Sequence, residues 1–206
     1  MKKYKLLYFV SEDEYFLSHK FFQAKDAKKL MSDVMITCNF SRYESKISSE
    51  GFKTYNLKIN RKTINPIKNL IYLIKLIKII KSFKPHIIQS IALKPILLTN
   101  IASFFLNMKI RIICCVVGMG FLVINKSFFS KIIKNIYFFL IKLFTKENVT
   151  FIFQNIDDFN FFKKHKLINN TEKFIIRGSG INTDKYRKGK RRKIYDLIFH
   201  SRVLKD

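Results

Sequence analysis

Short apolar runs alternate along the chain with longer stretches in which apolar residues recur every three or four positions. The short runs fall at 4–10, 33–40, 52–59, 86–92, 109–117, 149–153 and 173–176. Most carry polar residues only at their ends, as strands buried on both faces of a parallel sheet do, while 52–59 alternates roughly in and out. The helical pattern covers 15–30, 65–83, 95–107 and 127–146, and Asp157-Asp158 open a helix of about ten residues carrying Phe159, Phe161 and Phe162. Asn65 and Pro66 suit the N-cap and first position of their helix, which offers Leu70, Leu73, Ile74, Ile77 and Ile80 as its core stripe. Strand and helix in alternation predict an α/β fold. It is a Rossmann-like, doubly wound, mainly parallel sheet of about seven strands with helices on both faces.

In such sheets, ligands bind beyond the carboxyl ends of the strands, so residues just past each apolar run are the candidates for chemistry. After the first run stand Glu12 and Asp13, then His19; after the fourth stands Lys94; after the fifth come Gly118 and Gly120. The run 149–153 is broken by Gln154-Asn155, and the next strand ends in Arg177-Gly178-Ser179-Gly180. That is a βαβ unit with a glycine-rich loop at its functional edge. Each candidate also has a plainer reading: helix capping for Glu12 and Asp13, a solvated or core ring for His19, a surface lysine for Lys94.

Charge enlarges the picture. With 40 Lys+Arg against 14 Asp+Glu, the net charge is +26, a surface that attracts nucleotide diphosphates, acidic membrane or nucleic acid. A codon-biased genome rich in Lys, Ile, Asn and Phe produces the same excess with no partner involved. The long helix at 65–83 could lie on an anionic membrane, although an ordinary core-facing helix with a solvated lysine face has the same pattern. No apolar stretch is long enough to span a bilayer, and Lys2, Lys3 and Lys5 precede a run too short for a secretory leader. Cys38, Cys114 and Cys115 lie in strands. Adjacent strand residues point to opposite faces, so Cys114 and Cys115 make a poor chelating pair, and all three read as buried thiols in a reducing cytoplasm. No metal site is expected.

Six segments in order resemble the bacterial family 4 glycosyltransferases: VSEDEYFLSHK from Val10, KPHIIQSIALKP from Lys84, GMGF from Gly118, FQNIDDFNFF from Phe153, IRGSGINTDKY from Ile176 and SRVLKD from Ser201. These enzymes have the two-domain GT-B fold, and members build capsule, O-antigen and exopolysaccharide. The resemblance implies hexosyl transfer with retention from a nucleotide sugar to a lipid-linked or glycan acceptor, without a metal or other cofactor. It implies Asp13 and His19 in catalysis and Glu12 and Lys94 on the acceptor. It places Gly118, Gly120, Arg177, Gly178, Ser179, Gly180 and Arg202 toward the donor. Three departures stand out: no Gly-Gly loop follows the first strand, Gln89 replaces a usual His, and Val117 stands where many relatives have another.

By the same resemblance, residues 1–187 form the acceptor-side domain, the basic run 188–193 is a linker, and 194–206 begins a nucleotide-sugar domain of which only the first strand is present. The chain is then expected to be a truncated fragment, inactive alone, with half of a split enzyme completed by a separately encoded C-terminal half as an alternative. The alternatives are a non-catalytic acceptor-binding domain, peripheral on the inner face of the plasma membrane, and last a nucleic-acid binder, for which no motif is visible; no nucleic-acid partner is expected.

Overall fold

The computed structural model describes residues 4–106, 108–119 and 128–180, together with Thr183, residues 195–197 and Phe199. Seven strands form one parallel sheet: β1 (Lys5–Glu12), β2 (Asp33–Asn39), β3 (Lys53–Asn56), β4 (Ile87–Ile91), β5 (Arg111–Val116), β6 (Val149–Phe153) and β7 (Glu172–Ile175). Their order is β3-β2-β1-β4-β5-β6-β7. The chain therefore reverses its winding between β1 and β4, the switch point beside which α/β sheets open a crevice. This is the Rossmann-like, doubly wound architecture expected from the alternation of apolar runs.

Helices α1 (Asp13–His19), α2 (Phe21–Leu30) and α3 (Glu44–Ser49) cover one face, where Phe16, Ala24 and Ile47 pack on Leu6, Tyr8, Val34 and Ile36. The other face carries α4 (Pro66–Phe83), α5 (Leu93–Leu106), α6 (Phe128–Phe144) and α7 (Ile156–Lys164). There Leu76, Ile80, Ile96, Ile141 and Phe162 meet Leu7, Phe9, Ile88, Ile112 and Phe151. Each such side chain taken wholly out of water contributes roughly 1.5–3 kcal/mol. Cys114 lies in the second cluster and Cys115 in the first, on opposite faces as strand alternation requires, and all three thiols are free and buried.

Several elements differ from the sequence reading. The expected helix 15–30 is two helices, because β1 runs straight through Glu12 into α1 and the path turns at Lys20 (φ −124°, ψ −10°) before α2. The short α3 was not expected: ESKISS is polar and only its Ile47 is buried. In α4, Asn65 caps as predicted, accepting from the Lys68 N–H at 3.1 Å, but the buried stripe is Leu76, Ile79, Ile80 and Phe83. Leu70 and Ile74 are exposed instead. The linker 188–193 lies outside the described residues. Of residues 194–206, expected to begin a further domain with its first strand, Tyr195, Asp196, Leu197 and Phe199 are described; they pair with no described strand, and Tyr195, Leu197 and Phe199 are 72–89% exposed.

Candidate functional site

The carboxyl ends of the strands gather most of the described candidate residues, and the structure divides them into two sets. The first holds loops. Asp13, the first residue of α1, is 1% exposed, and its carboxylate is fully engaged. Oδ2 accepts from the backbone N–H groups of Ser41, Arg42 and Tyr43 at 2.8–2.9 Å; Oδ1 accepts from the Ser41 hydroxyl and the Glu14 N–H, each at 2.9 Å. Burial alone would raise its pKa, but these hydrogen bonds outweigh burial and hold the carboxyl below its ordinary value. A buried carboxylate with every lone-pair direction in use has no free position for a substrate proton. Asp13 is thus an anchor for the β2–α3 loop, in place of the proton-handling role expected from sequence.

Glu12 and Lys94 hold the loop between β3 and α4. Glu12 pairs with Arg61 Nε at 3.2 Å. The Lys94 ammonium, at the start of α5, donates to the carbonyl oxygens of Asn60, at 2.8 Å, and Thr63. Burial pushes the Lys94 amine down to about 8. These two side chains clamp one loop from either side, which corrects the expectation that they stand free for an acceptor.

The second set lines a cleft. His19 ends α1, and its ring stacks on Tyr15 with centroids 4.3 Å apart and planes 4° from parallel. Its Nδ1 lies 2.7 Å from the Ser18 hydroxyl, which donates to the Glu14 carbonyl oxygen at 2.8 Å. With that proton committed, the Ser18 oxygen accepts from Nδ1–H, and Nε2 of the neutral ring is left as an acceptor. Across an open cleft of about 550 Å³, Ser18 and His19 face Gln154, Gly178, Ser179 and Gly180. Residues far apart in sequence thus meet because α1 lies over the same sheet edge at which β6 and β7 end.

The local chemistry of the far wall follows from its sequence. Gly178 and Gly180 have φ of +70° and +74°, so the loop turns where other residues would be strained, and a Cβ at either would meet nothing within 4 Å. The strain-free backbone, and not crowding, is what calls for glycine. Gln154 Nε2 donates to Ser179 Oγ at 3.2 Å and braces the loop. Sequence reasoning treated Gln154 only as a strand breaker; no spacing rule would have paired it with a residue 25 positions on. Gly118 (φ +132°) leaves β5 at this edge, and Arg177 is exposed just before the loop. Gly120 and Arg202 lie outside the described residues. Among the described residues, no three His, Cys, Asp or Glu side chains converge to hold a metal.

A family sequence profile described as glycosyl transferase 4-like matches residues 5–155, from β1 to the end of β6. The chain belongs to the glycosyl transferase 4-like family. No curated protein matches it significantly. Among solved structures it is similar to a glycosyltransferase from Rickettsia africae, with a TM-score of 0.60 at 18% identity over 90% of this chain and 45% of the other. It is similar to Anabaena HepE, solved with UDP and glucose: TM-score 0.61, 12% identity, 91% and 47% covered. Sucrose-phosphate synthase from Thermosynechococcus elongatus follows at a TM-score of 0.58, 10% identity, 85% and 48% covered. The chain spans about half the length of these structures. At such identities the likeness concerns the fold. For this glycosyl transferase 4-like chain it matches the seven-stranded Rossmann-like sheet to GT-B glycosyltransferases in fold.

Proposed function

We propose that the chain is the acceptor-side half of a glycosyltransferase that moves a hexosyl group from a nucleotide sugar to a lipid-linked or glycan acceptor in surface-polysaccharide synthesis. The observation that carries this reading is the cleft in which His19 faces the Gly178-Ser179-Gly180 loop, within a fold and family of glycosyl transferases. In the transfer, the bond between the anomeric carbon and the donor phosphate oxygen breaks. A bond from that carbon to the acceptor oxygen forms, and the hydroxyl proton passes to the departing phosphate. His19 Nε2 can accept a hydrogen bond from the attacking hydroxyl and so orient it, while the loop's N–H groups face the charge that builds on the leaving side.

Turnover, in this reading, needs a nucleotide-sugar domain, supplied by the rest of a longer polypeptide or by a separately encoded chain. The test is release of nucleoside diphosphate from a panel of nucleotide sugars. The 206 residues alone are expected to give none above background, and addition of a partner domain is expected to restore it. Rapid turnover by these residues alone would overturn the proposal.

A second feature favours work at the inner face of the plasma membrane. Phe128, Ile132, Ile136, Phe139 and Leu143 form an exposed stripe along α6, and exposed Phe104 and Phe105 of α5 meet Phe144 beside it. Exposed Lys131 and Lys142 flank the stripe at helical spacing. Among the described residues, no helix is long and apolar enough to cross a membrane. An apolar stripe edged by lysines suits a helix lying in an anionic surface. Flotation with liposomes should therefore require anionic lipid and should weaken in Phe139→Ser; equal binding to neutral liposomes would count against it.

A further inference from the structure

Helix α4 carries two apolar stripes. Leu76, Ile79, Ile80 and Phe83 are buried, whereas Ile67, Leu70, Ile71 and Ile74 are 45–69% exposed. The two sets pair off nine positions apart: Ile67 with Leu76, Leu70 with Ile79, Ile71 with Ile80 and Ile74 with Phe83. Nine residues make about two and a half turns, so the stripes lie on opposite sides of the helix and the exposed one faces away from the sheet. A helix that only packs on a core needs one stripe. Exposed Ile64 extends the outer stripe into the loop before α4. In that loop the carbonyl groups of Asn60 and Thr63 are held by Lys94, and Arg61 is held by Glu12. The clamp thus fixes an apolar tip at the carboxyl edge of the sheet, the edge that carries the cleft.

None of the 14 Asp and Glu residues falls between Glu50 and Glu147, although Lys and Arg recur throughout that stretch. The topology turns this bias into a surface. The strands β4, β5 and β6 are added one after another in the same direction, and right-handed connections put α4, α5 and α6 together on one face. Asp13, Glu14, Asp26 and Glu44 belong to α1, α2 and α3 on the other face. The outer layer of α4, α5 and α6 is therefore free of carboxylates, and Lys68, Lys78 and Lys81 of α4 are exposed on it. Helix α5 packs between α4 and α6, so the exposed stripes of those two helices are separate parts of one layer. What covers both is a broad surface rather than a single docked chain, and the charge it must complement is positive.

We propose that α4 and the loop before it insert into an anionic bilayer alongside α6, so that the helical layer faces the membrane and the Ile64 tip brings the cleft-bearing edge to it. This rests on the reading that α6 meets the membrane, and it names the element that orients the domain there. The pose presents the cleft to an acceptor whose lipid stays in the bilayer.

The test uses the full chain and phosphatidylcholine vesicles with or without phosphatidylglycerol. The double variant Ile67→Ser, Leu70→Ser is expected to weaken binding to the anionic vesicles about tenfold or more, because two apolar side chains no longer leave water. It is expected to keep Tm within about two degrees, because both positions are exposed. Leu30→Ser, which alters an exposed leucine of α2 on the opposite face, is expected to change nothing. All three cysteines are buried, so an environment-sensitive fluorophore can be attached at Ile67→Cys selectively. Its emission is expected to shift to the blue on anionic vesicles and to be quenched by nitroxide-labelled acyl chains, whereas the same probe at Phe22→Cys on α2 is expected to show neither effect. Binding that is lost in Phe139→Ser but kept in the double variant would overturn this inference and leave the α6 reading standing; no binding to anionic vesicles would remove both. An equal loss in Leu30→Ser would also overturn it, as would a probe at position 67 that stays in water on bound vesicles. A shift that needs only a higher protein concentration would assign the stripe to a second copy of the chain and overturn it too.

Discussion

Removing the Asp13 carboxylate tests whether α1 and the β2–α3 loop are held together as described. Five hydrogen bonds of 2.8–2.9 Å converge on this side chain, three of them from consecutive backbone N–H groups. Bonds to a charged group contribute about 1.5–3 kcal/mol each, and a buried donor left without a partner costs about 1–3 kcal/mol. The losses do not add, because the loop can peel back and let water reach Ser41–Tyr43. Asp13→Ala should therefore cost about 3–5 kcal/mol, a large share of the stability of an ordinary domain. Asp13→Asn should cost about 2–3 kcal/mol. Its single oxygen can still face the three loop N–H groups and its amide can donate to Ser41 Oγ, but it then meets the Glu14 N–H donor to donor.

Urea unfolding at fixed m gives both values. The pH dependence supplies a second check. Because the folded pKa is held below the unfolded one, the stabilisation is complete above the unfolded value of about 3.9 and is lost as pH falls through the folded value. The gap between wild type and Asp13→Asn should thus be constant near neutrality and shrink in acid. A cost for Asp13→Ala below about 1 kcal/mol, or a gap that does not close on acidification, would refute the anchoring role.

Three further outcomes follow from the same geometry. With burial drawing Lys94 down to about 8, the folded state releases a proton before the unfolded chain does; stability relative to Lys94→Met should rise between about pH 8 and 10.5, and a flat difference would contradict this. Gly180→Ala should cost about 1–2 kcal/mol through backbone conformation alone, since φ is +74° and the space beside it is open; the Gly180→Asn variant, which tolerates that region better, should recover part of the loss in the same unfolding assay. In the enzyme assembled with its nucleotide-sugar domain, His19→Ala should lower kcat/KM by about 10²-fold or more while leaving Tm within a degree or two, because the exposed ring contributes chemistry and little packing.

The elements most legible from sequence were those whose local signals agree. The β6–α7–β7 unit follows from an apolar run, the Asp157-Asp158 helix start and three phenylalanines, of which Phe162 packs on Phe151 and Phe153; Asn155, read only as a break, proves to cap the helix by accepting from Asp158 N at 2.7 Å. Helix α4 was found with its correct ends; of its expected stripe, Ile80 is buried and Leu73 and Ile77 pack against the core, while Leu70 and Ile74 face out. Its apolar residues spread over more than one stripe beside the lysine face, so periodicity alone does not choose among them. Contact with α5 decides, burying Leu76, Ile79 and Ile80 and leaving Ile67, Leu70, Ile71 and Ile74 outward. The break at Lys20 carries no Gly or Pro. It results from β1 entering α1 without a connecting loop, which tertiary geometry imposes and local propensity does not announce.

The same distinction explains the candidate site. Position at a strand's carboxyl end identified Glu12, Asp13, His19, Lys94 and the Gly178-Ser179-Gly180 loop, but that criterion cannot separate side chains facing the cleft from those turned sideways to hold a neighbouring loop. The separation depends on partners. Asp13 finds three N–H groups, Lys94 two carbonyl oxygens and Glu12 a guanidinium, so each is satisfied within the domain. His19, which lines the cleft, keeps Nε2 without a partner among the described residues. Which side chains keep a free polar atom is decided only once the fold has formed. In the proposed reading, the groups left unsatisfied by the fold, not those most prominent in the sequence, are the ones that would meet a ligand in this cleft.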